Sequence, residues 1–319
     1  MKKLLSILLG VSIFLAGCSN TSDDTAQNES EEGASEEGEE RVLTDDAGNE
    51  VTIPSNPERI IGTYLEDDLL ALEETPIAQW TVGEDSVQDY LQDEGLEGLP
   101  LMPFDLPFES VAAEEPDLLL ISSADTVEGD KYESYSKIAP TFVVDSGSYD
   151  DWRDRLTRVS EVFGKEDLAE EKINEYNELV DQASTELSEE VNNESAIAVW
   201  YTGGSFFISN KDKSSGEVLY NDLGLTAPDL VEELSADNET PWIEASLESF
   251  AELDVDHIFF IADAEGDSEK ALADDVFQNI PAVENGNVYE LEQGNSWLYS
   301  GYIANSLIVE DVEEALGTN

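Results

Sequence analysis

From residue 169 to residue 191 the apolar positions recur as Ala169, Ile173, Tyr176, Val180, Ala183, Leu187 and Val191, in steps of 4, 3, 4, 3, 4 and 4. That spacing draws one stripe along a helix. The positions between are mostly Glu, Asp, Asn, Gln, Lys and Ser, so the helix, from about Asp167 to Glu190, is polar over most of its surface. At about 1.5 Å per residue it spans about 36 Å, the width of a small domain. On either side the period changes. Before it, strand patterns at Arg59–Thr63, Ala78–Val82, Leu118–Ser122 and Thr141–Val144 alternate with helical ones at Glu66–Glu74, Phe108–Glu114 and Tyr132–Ile138. A hairpin, Val42–Thr44 with Val51–Ile53, precedes them, and a helix over Asp151–Phe163 with Gly164 as its C-cap follows. After it come strands at Ala196–Tyr201, Phe206–Ile208, Asp256–Ile261 and Asn287–Leu291. Helices are predicted at Gly216–Leu223, Leu247–Leu253, Ala271–Phe277 and Tyr302–Leu316. Alternating elements and continuous apolar runs such as Leu118-Leu119-Leu120-Ile121 predict α/β lobes with mainly parallel central sheets. One lobe on each side makes the long polar helix the bridge between them.

The amino terminus follows another pattern. Lys2 and Lys3 precede an apolar stretch, Leu4 to Leu15, that is too short for a good membrane span. Leu15-Ala16-Gly17-Cys18 resembles the lipobox of bacterial lipoproteins, which implies cleavage before Cys18 and a diacylglycerol on its thiol. Residues 1–17 are thus expected to be a signal peptide. Residues 18–40, the lipidated Cys18 and an acidic stretch without aromatic or branched aliphatic residues, are expected to be a disordered tether. The remaining divisions are an N-terminal lobe over 41–150, the hinge-side and interlobe helices over 151–191, and a C-terminal lobe over 192–319.

Charge narrows the function. The 319 residues hold 75 Asp and Glu against 14 Lys and Arg, a net charge of -61. Nucleic acid needs basic surface and is excluded as a partner. Such acidity keeps a surface hydrated and suits a salty or alkaline medium. Cys18 is the one cysteine, which excludes a disulfide within the chain and a cysteine-based zinc site. The one histidine, His257, opens a buried-strand pattern and reads as structural. No catalytic residue and no resident metal site or cofactor is assigned.

Several stretches, in order and spacing, resemble a known family. They are Val51-Thr52-Ile53-Pro54, Pro57-Glu58-Arg59-Ile60-Ile61, Asp68-Leu69-Leu70-Ala71-Leu72, Phe108-Glu109-Ser110 and Glu115-Pro116-Asp117-Leu118-Leu119-Leu120-Ile121. Lys137-Ile138-Ala139-Pro140-Thr141, Leu223-Gly224-Leu225 and Asp256-His257-Ile258-Phe259 complete the set. From Asp45 to Leu316 the chain resembles the iron-siderophore substrate-binding lipoproteins of ABC importers, whose two lobes are joined by one rigid helix. The resemblance implies a ligand cleft between the lobes and a protein that is not an enzyme, and a single stiff helix between the lobes predicts a small rotation on binding. It implies capture of a ferric siderophore, iron being held by the siderophore alone, by a monomer anchored on the outer face of the cytoplasmic membrane. Delivery would be to an ABC permease dimer.

Strand-end loops would supply the ligand contacts. The candidates are Tyr64, Trp80 and Phe104 from the first lobe and Trp200, Tyr201, Lys211, Trp242, Trp297 and Tyr299 from the second. Trp297 and Tyr299 are favoured because a polar loop, Gly294-Asn295-Ser296, precedes them. Few basic residues are available to cage an anionic catecholate, so a neutral or cationic ferric hydroxamate fits better. Haem, cobalamin or catecholate binding within the same family remains open, as does, more remotely, a secreted carboxylate-dependent hydrolase. Acidic residues that meet the permease in this family correspond to Glu109 and Glu248.

Overall fold

The computed structural model describes residues 40–81, 86–149, 151–191, 193–262, 266–291 and 294–317. The expected signal peptide, Cys18 and the tether up to residue 39 lie outside the described residues, as does Val82 of one predicted strand. Among the described residues no helix is long and apolar enough to cross a membrane.

The first lobe opens with an antiparallel hairpin, β1 (Arg41–Thr44) and β2 (Glu50–Ile53). Next come β3 (Ile60–Thr63), α1 (Glu66–Ala71), β4 (Gln79–Trp80) and β5 (Leu101–Met102). The lobe ends with α2 (Phe108–Ala113), β6 (Leu118–Ile121), α3 (Lys131–Tyr135) and β7 (Thr141–Val143). A parallel sheet runs β3-β6-β7, and β4 pairs in parallel with β5. Every residue of β3 and β6 is buried. A sheet covered on both faces needs apolar residues at successive positions, which is why the pattern there is continuous rather than alternating.

Two helices cross to the second lobe, α4 (Trp152–Phe163) and α5 (Glu166–Glu190). Asp151 caps α4 by accepting the Arg153 N–H at 2.9 Å. Gly164 ends α4 at φ +65°, a left-handed conformation that favours glycine. The stripe on α5 is placed as its spacing predicts. Ala169, Tyr176, Ala183 and Leu187 are buried, while Ile173 and Val180 are partly buried against the same core.

The second lobe begins with the antiparallel pair β8 (Ala196–Thr202) and β9 (Ser205–Ser209), followed by α6 (Asp229–Ser235) and β10 (Trp242–Ala245). β11 (His257–Ala262), α7 (Asp267–Leu272), α8 (Pro281–Asn285), β12 (Val288–Leu291) and α9 (Tyr302–Leu316) complete it. Its five strands run β10-β9-β8-β11-β12: β8, β11 and β12 are parallel, and β9 and β10 antiparallel. α9 returns to lie along α5, joined to it where the Tyr302 hydroxyl donates to Glu175 at 2.8 Å.

Several predicted elements shift. The turns over 217–222 and 247–252 are π-type and 3-10 rather than α, and the helix predicted over 271–277 instead occupies 267–272. β5, β10, α6 and α8 are additions. Each is too short to establish a period in the sequence, and β10, Trp-Ile-Glu-Ala, is ordered by pairing with β9 at the edge of the sheet.

Candidate ligand cleft

β3 is fully buried up to Thr63, and Tyr64 then takes φ +57°. The left-handed region costs a non-glycine residue about 1–2 kcal/mol. Here it turns the chain out of the sheet and leaves the Tyr64 ring 40% exposed. Around that ring lies a row of aromatics. The Trp80 ring stands edge-on to Tyr64 at 5.7 Å, and Phe104, 57% exposed, stacks on Trp80 at 5.0 Å. Tyr299, from the second lobe and buried, meets Tyr64 at 5.9 Å and Tyr90 at 5.2 Å. Phe104, Trp80, Tyr64, Tyr299 and Tyr90 therefore form one continuous row that passes from lobe to lobe.

Behind the row is charge. Glu66, Asp67 and Asp68, the first turn of α1, are all buried. Glu66 accepts the Trp80 backbone N–H and the Gln88 side-chain amide, both at 2.9 Å. Asp67 accepts the N–H groups of Ile303 at 3.1 Å and Ala304 at 2.9 Å, in the first turn of α9, and the Tyr90 hydroxyl at 3.1 Å. Asp68 accepts Arg155 Nε at 2.8 Å, and Arg155 also donates to the Ser300 carbonyl at 2.7 Å. Burial dominates all three carboxyls by disfavouring their charged form. It raises Glu66 to about 7 against the hydrogen bonds it accepts. It raises Asp67 to about 6, with the neighbouring Asp68 charge adding to the rise, and it raises Asp68 despite Arg155.

The arginines are already occupied. Arg59 bonds the Glu115 and Glu114 carbonyls and Arg41 the Val162 carbonyl. On α4, Arg158 bonds Asp46 and the Thr44 carbonyl of the hairpin, and Arg153 pairs with Asp151, Glu217 and Asp222. The α4 arginines thus cross-link the elements around them.

Of the sequence candidates, Tyr64, Trp80, Phe104 and Tyr299 come together in the row. Tyr90 was missed, since a lone tyrosine between polar residues carries no pattern. Trp200, with Phe207 at 5.5 Å and Trp242 at 5.8 Å, forms a separate half-buried cluster on the second-lobe sheet. Tyr201, its strand neighbour, points to the opposite face, as alternate strand residues must. Its ring packs on Phe206, which joins Phe250 and Phe277. Lys211 is tied to α6, its ammonium on Glu232 and its N–H on the Ser235 hydroxyl. Trp297 departs furthest from expectation. It is fully buried, stacked on Phe259 at 4.5 Å, with its indole N–H donating to Asp311 at 2.8 Å. It supports the sheet rather than facing a ligand, because Phe259 and Asp311 meet both its apolar and its polar needs. Glu109 and Glu248 are exposed, one near the start of a short helical turn on each lobe.

Two lobes about a helical bridge, with an aromatic row between them and no nucleophile–base pair in it, describe a receptor for a small molecule. The chain belongs to the periplasmic binding protein family, whose profile matches residues 102–294, more than half of it. It is 27% identical over 327 residues to the Fe(3+)-citrate-binding protein YfmC of Bacillus subtilis, covering 97% of this chain and 95% of that one. The iron(3+)-hydroxamate-binding protein FhuD of the same organism is 26% identical over 282 residues, 87% and 86% of the two chains. Among solved structures, Staphylococcus aureus SirA complexed with staphyloferrin B superposes with a TM-score of 0.71 at 22% identity, over 87% of this chain and 98% of that one.

Proposed function

We propose that this chain is a substrate-binding lipoprotein that captures a ferric siderophore of hydroxamate type outside the cell and delivers it to an ABC import permease. The observation that carries the ligand class is the charge behind the aromatic row. Three buried carboxyls face one guanidinium, Arg155, which is already bonded to Asp68 and the Ser300 carbonyl. With Arg155 committed to Asp68, that floor offers no free cation to an anionic ferric citrate or catecholate, which favours a neutral or cationic complex. The row itself offers flat apolar faces and a few phenol hydroxyls, the lining that holds a ligand whose iron is already fully coordinated. Cys18 would carry the lipid that keeps the protein at the membrane surface.

Titration of the full chain with ferrioxamine B, ferric citrate and ferric enterobactin, read by tryptophan fluorescence, tests the assignment. Ferrioxamine B is expected to bind with a Kd below about 1 µM and the two anions at least about tenfold more weakly. Tight citrate or enterobactin binding with none of ferrioxamine B overturns the hydroxamate class, and no binding of any ferric complex overturns the siderophore reading. Glu109 and Glu248 are proposed as the permease contacts. Replacing either with Ala should lower cellular uptake of the iron complex and leave its Kd unchanged.

A further inference from the structure

The three carboxylates at the start of α1 hold different segments, and through them reach most of the aromatic row. Glu66 holds the backbone of Trp80. Asp67 holds the Tyr90 hydroxyl and, in the other lobe, the first turn of α9, which begins three residues after Tyr299. Asp68 holds Arg155, which binds the carbonyl of Ser300, the residue next to Tyr299. Tyr64 lies two residues before Glu66. One helical turn thus references four of the five rings to a common point.

Asp67 makes the link between lobes directly. A carboxylate at a helix amino terminus meets unsatisfied N–H groups, and here the helix belongs to the opposite lobe. The approach is close: a Cβ on Gly301 would lie 2.4 Å from the Asp67 carboxylate carbon. The backbone of Gly301 is extended, so it is this contact, not its φ, that excludes a side chain.

We propose that Asp67 is a positioning residue for ligand: its clasp on the amino terminus of α9 sets Tyr299 against Tyr64 and holds the row in its binding geometry before ligand arrives. Asp67 itself touches no ligand. The inference rests on reading the row as the ligand wall, and it adds that affinity depends on a contact between lobes behind that wall. A wall assembled in advance spares the ligand the work of ordering it.

Three variants of the full chain test this with ferrioxamine B as the probe: Asp67→Ala, Gly301→Ala and Tyr64→Ala. Phe277→Leu, in the second-lobe core, serves as a control for lost stability. Asp67→Ala removes the clasp from the first lobe and Gly301→Ala pushes it apart from the second. Both are expected to weaken binding by about tenfold or more. In a Cys18→Ser background with spin labels at Glu109→Cys and Glu248→Cys, both should also broaden the distance distribution between lobes. Phe277→Leu should lower the melting temperature and leave affinity and distance unchanged. Asp67→Asn, which keeps one acceptor oxygen of two, should fall between parent and Asp67→Ala, and it stands in if Asp67→Ala does not fold. Clasp variants that bind within about twofold of the parent, while Tyr64→Ala loses affinity, overturn the proposal and leave the wall intact. Parental affinity in Tyr64→Ala overturns the wall reading, and the proposal with it.

Discussion

Tyr64 and Trp297 are both large aromatics in loops that follow a strand, yet Tyr64 is 40% exposed and Trp297 is fully buried. What lies behind each ring accounts for the difference. Behind Trp297 is the Phe259 face and, for its one polar atom, the Asp311 carboxylate, so the indole can sink without leaving a donor unsatisfied. Behind Tyr64 is the cluster of Glu66, Asp67, Asp68 and Arg155, already hydrogen-bonded to other segments. A ring cannot displace those groups without stranding them, so it stays at the surface. An aromatic over an apolar sheet becomes core, and an aromatic over a satisfied polar cluster becomes a wall.

The largest expected effect breaks the buried side of this comparison. Trp297→Ala should cost about 4 kcal/mol of stability, as loss of a buried tryptophan does, measured by urea denaturation of the full chain. A cost near zero would mean that Trp297 is not core. Next comes the polar cluster. Burial raises Glu66 from its ordinary 4.5 to about 7, so the folded chain retains a proton that the unfolded chain releases above about pH 4.5. The contribution of Glu66 to stability therefore falls as pH rises from about 4.5 to 7 and is level above that. Glu66→Gln keeps one of the two acceptor oxygens and removes this titration, so its stability relative to the parent should rise between pH 4.5 and pH 8 by on the order of 3 kcal/mol. An equal shift in melting temperature at both pH values would contradict this. On the exposed side, Tyr64→Ala should weaken ferrioxamine B binding by about 30-fold, roughly 2 kcal/mol, with little change in melting temperature. The reverse pattern, lost stability with affinity kept, would erase the distinction between the two rings. The smallest effect concerns Trp242, whose buried indole N–H has no acceptor among the described residues. Trp242→Phe removes that group and should change stability by no more than about 1 kcal/mol, in the stabilising direction.

Much of this molecule was legible along the chain. The stripe from Ala169 to Leu187 placed α5, and the continuous run Leu118–Ile121 placed a doubly covered strand, because burial on one face or on two imposes a period that survives in one dimension. Gly164 announced the end of α4 for the same local reason. The site was legible only in part. Tyr64, Trp80, Phe104 and Tyr299 could be nominated as aromatics at strand ends, but so could Trp297, which is fully buried, and Tyr201, which packs on Phe206 away from the row. Which way a ring faces depends on its neighbours in space. The same holds for Glu66, Asp67 and Asp68. In a chain with 75 acidic residues three more carboxylates read as solvated surface. Their burial depends on Arg155, 87 positions beyond Asp68, and on the Ala304 N–H, 237 positions beyond Asp67. Local period determined the elements, and long-range pairing of polar groups decided which charges are buried and which aromatics remain free to meet a ligand. A buried charge persists only where the fold delivers a partner to it.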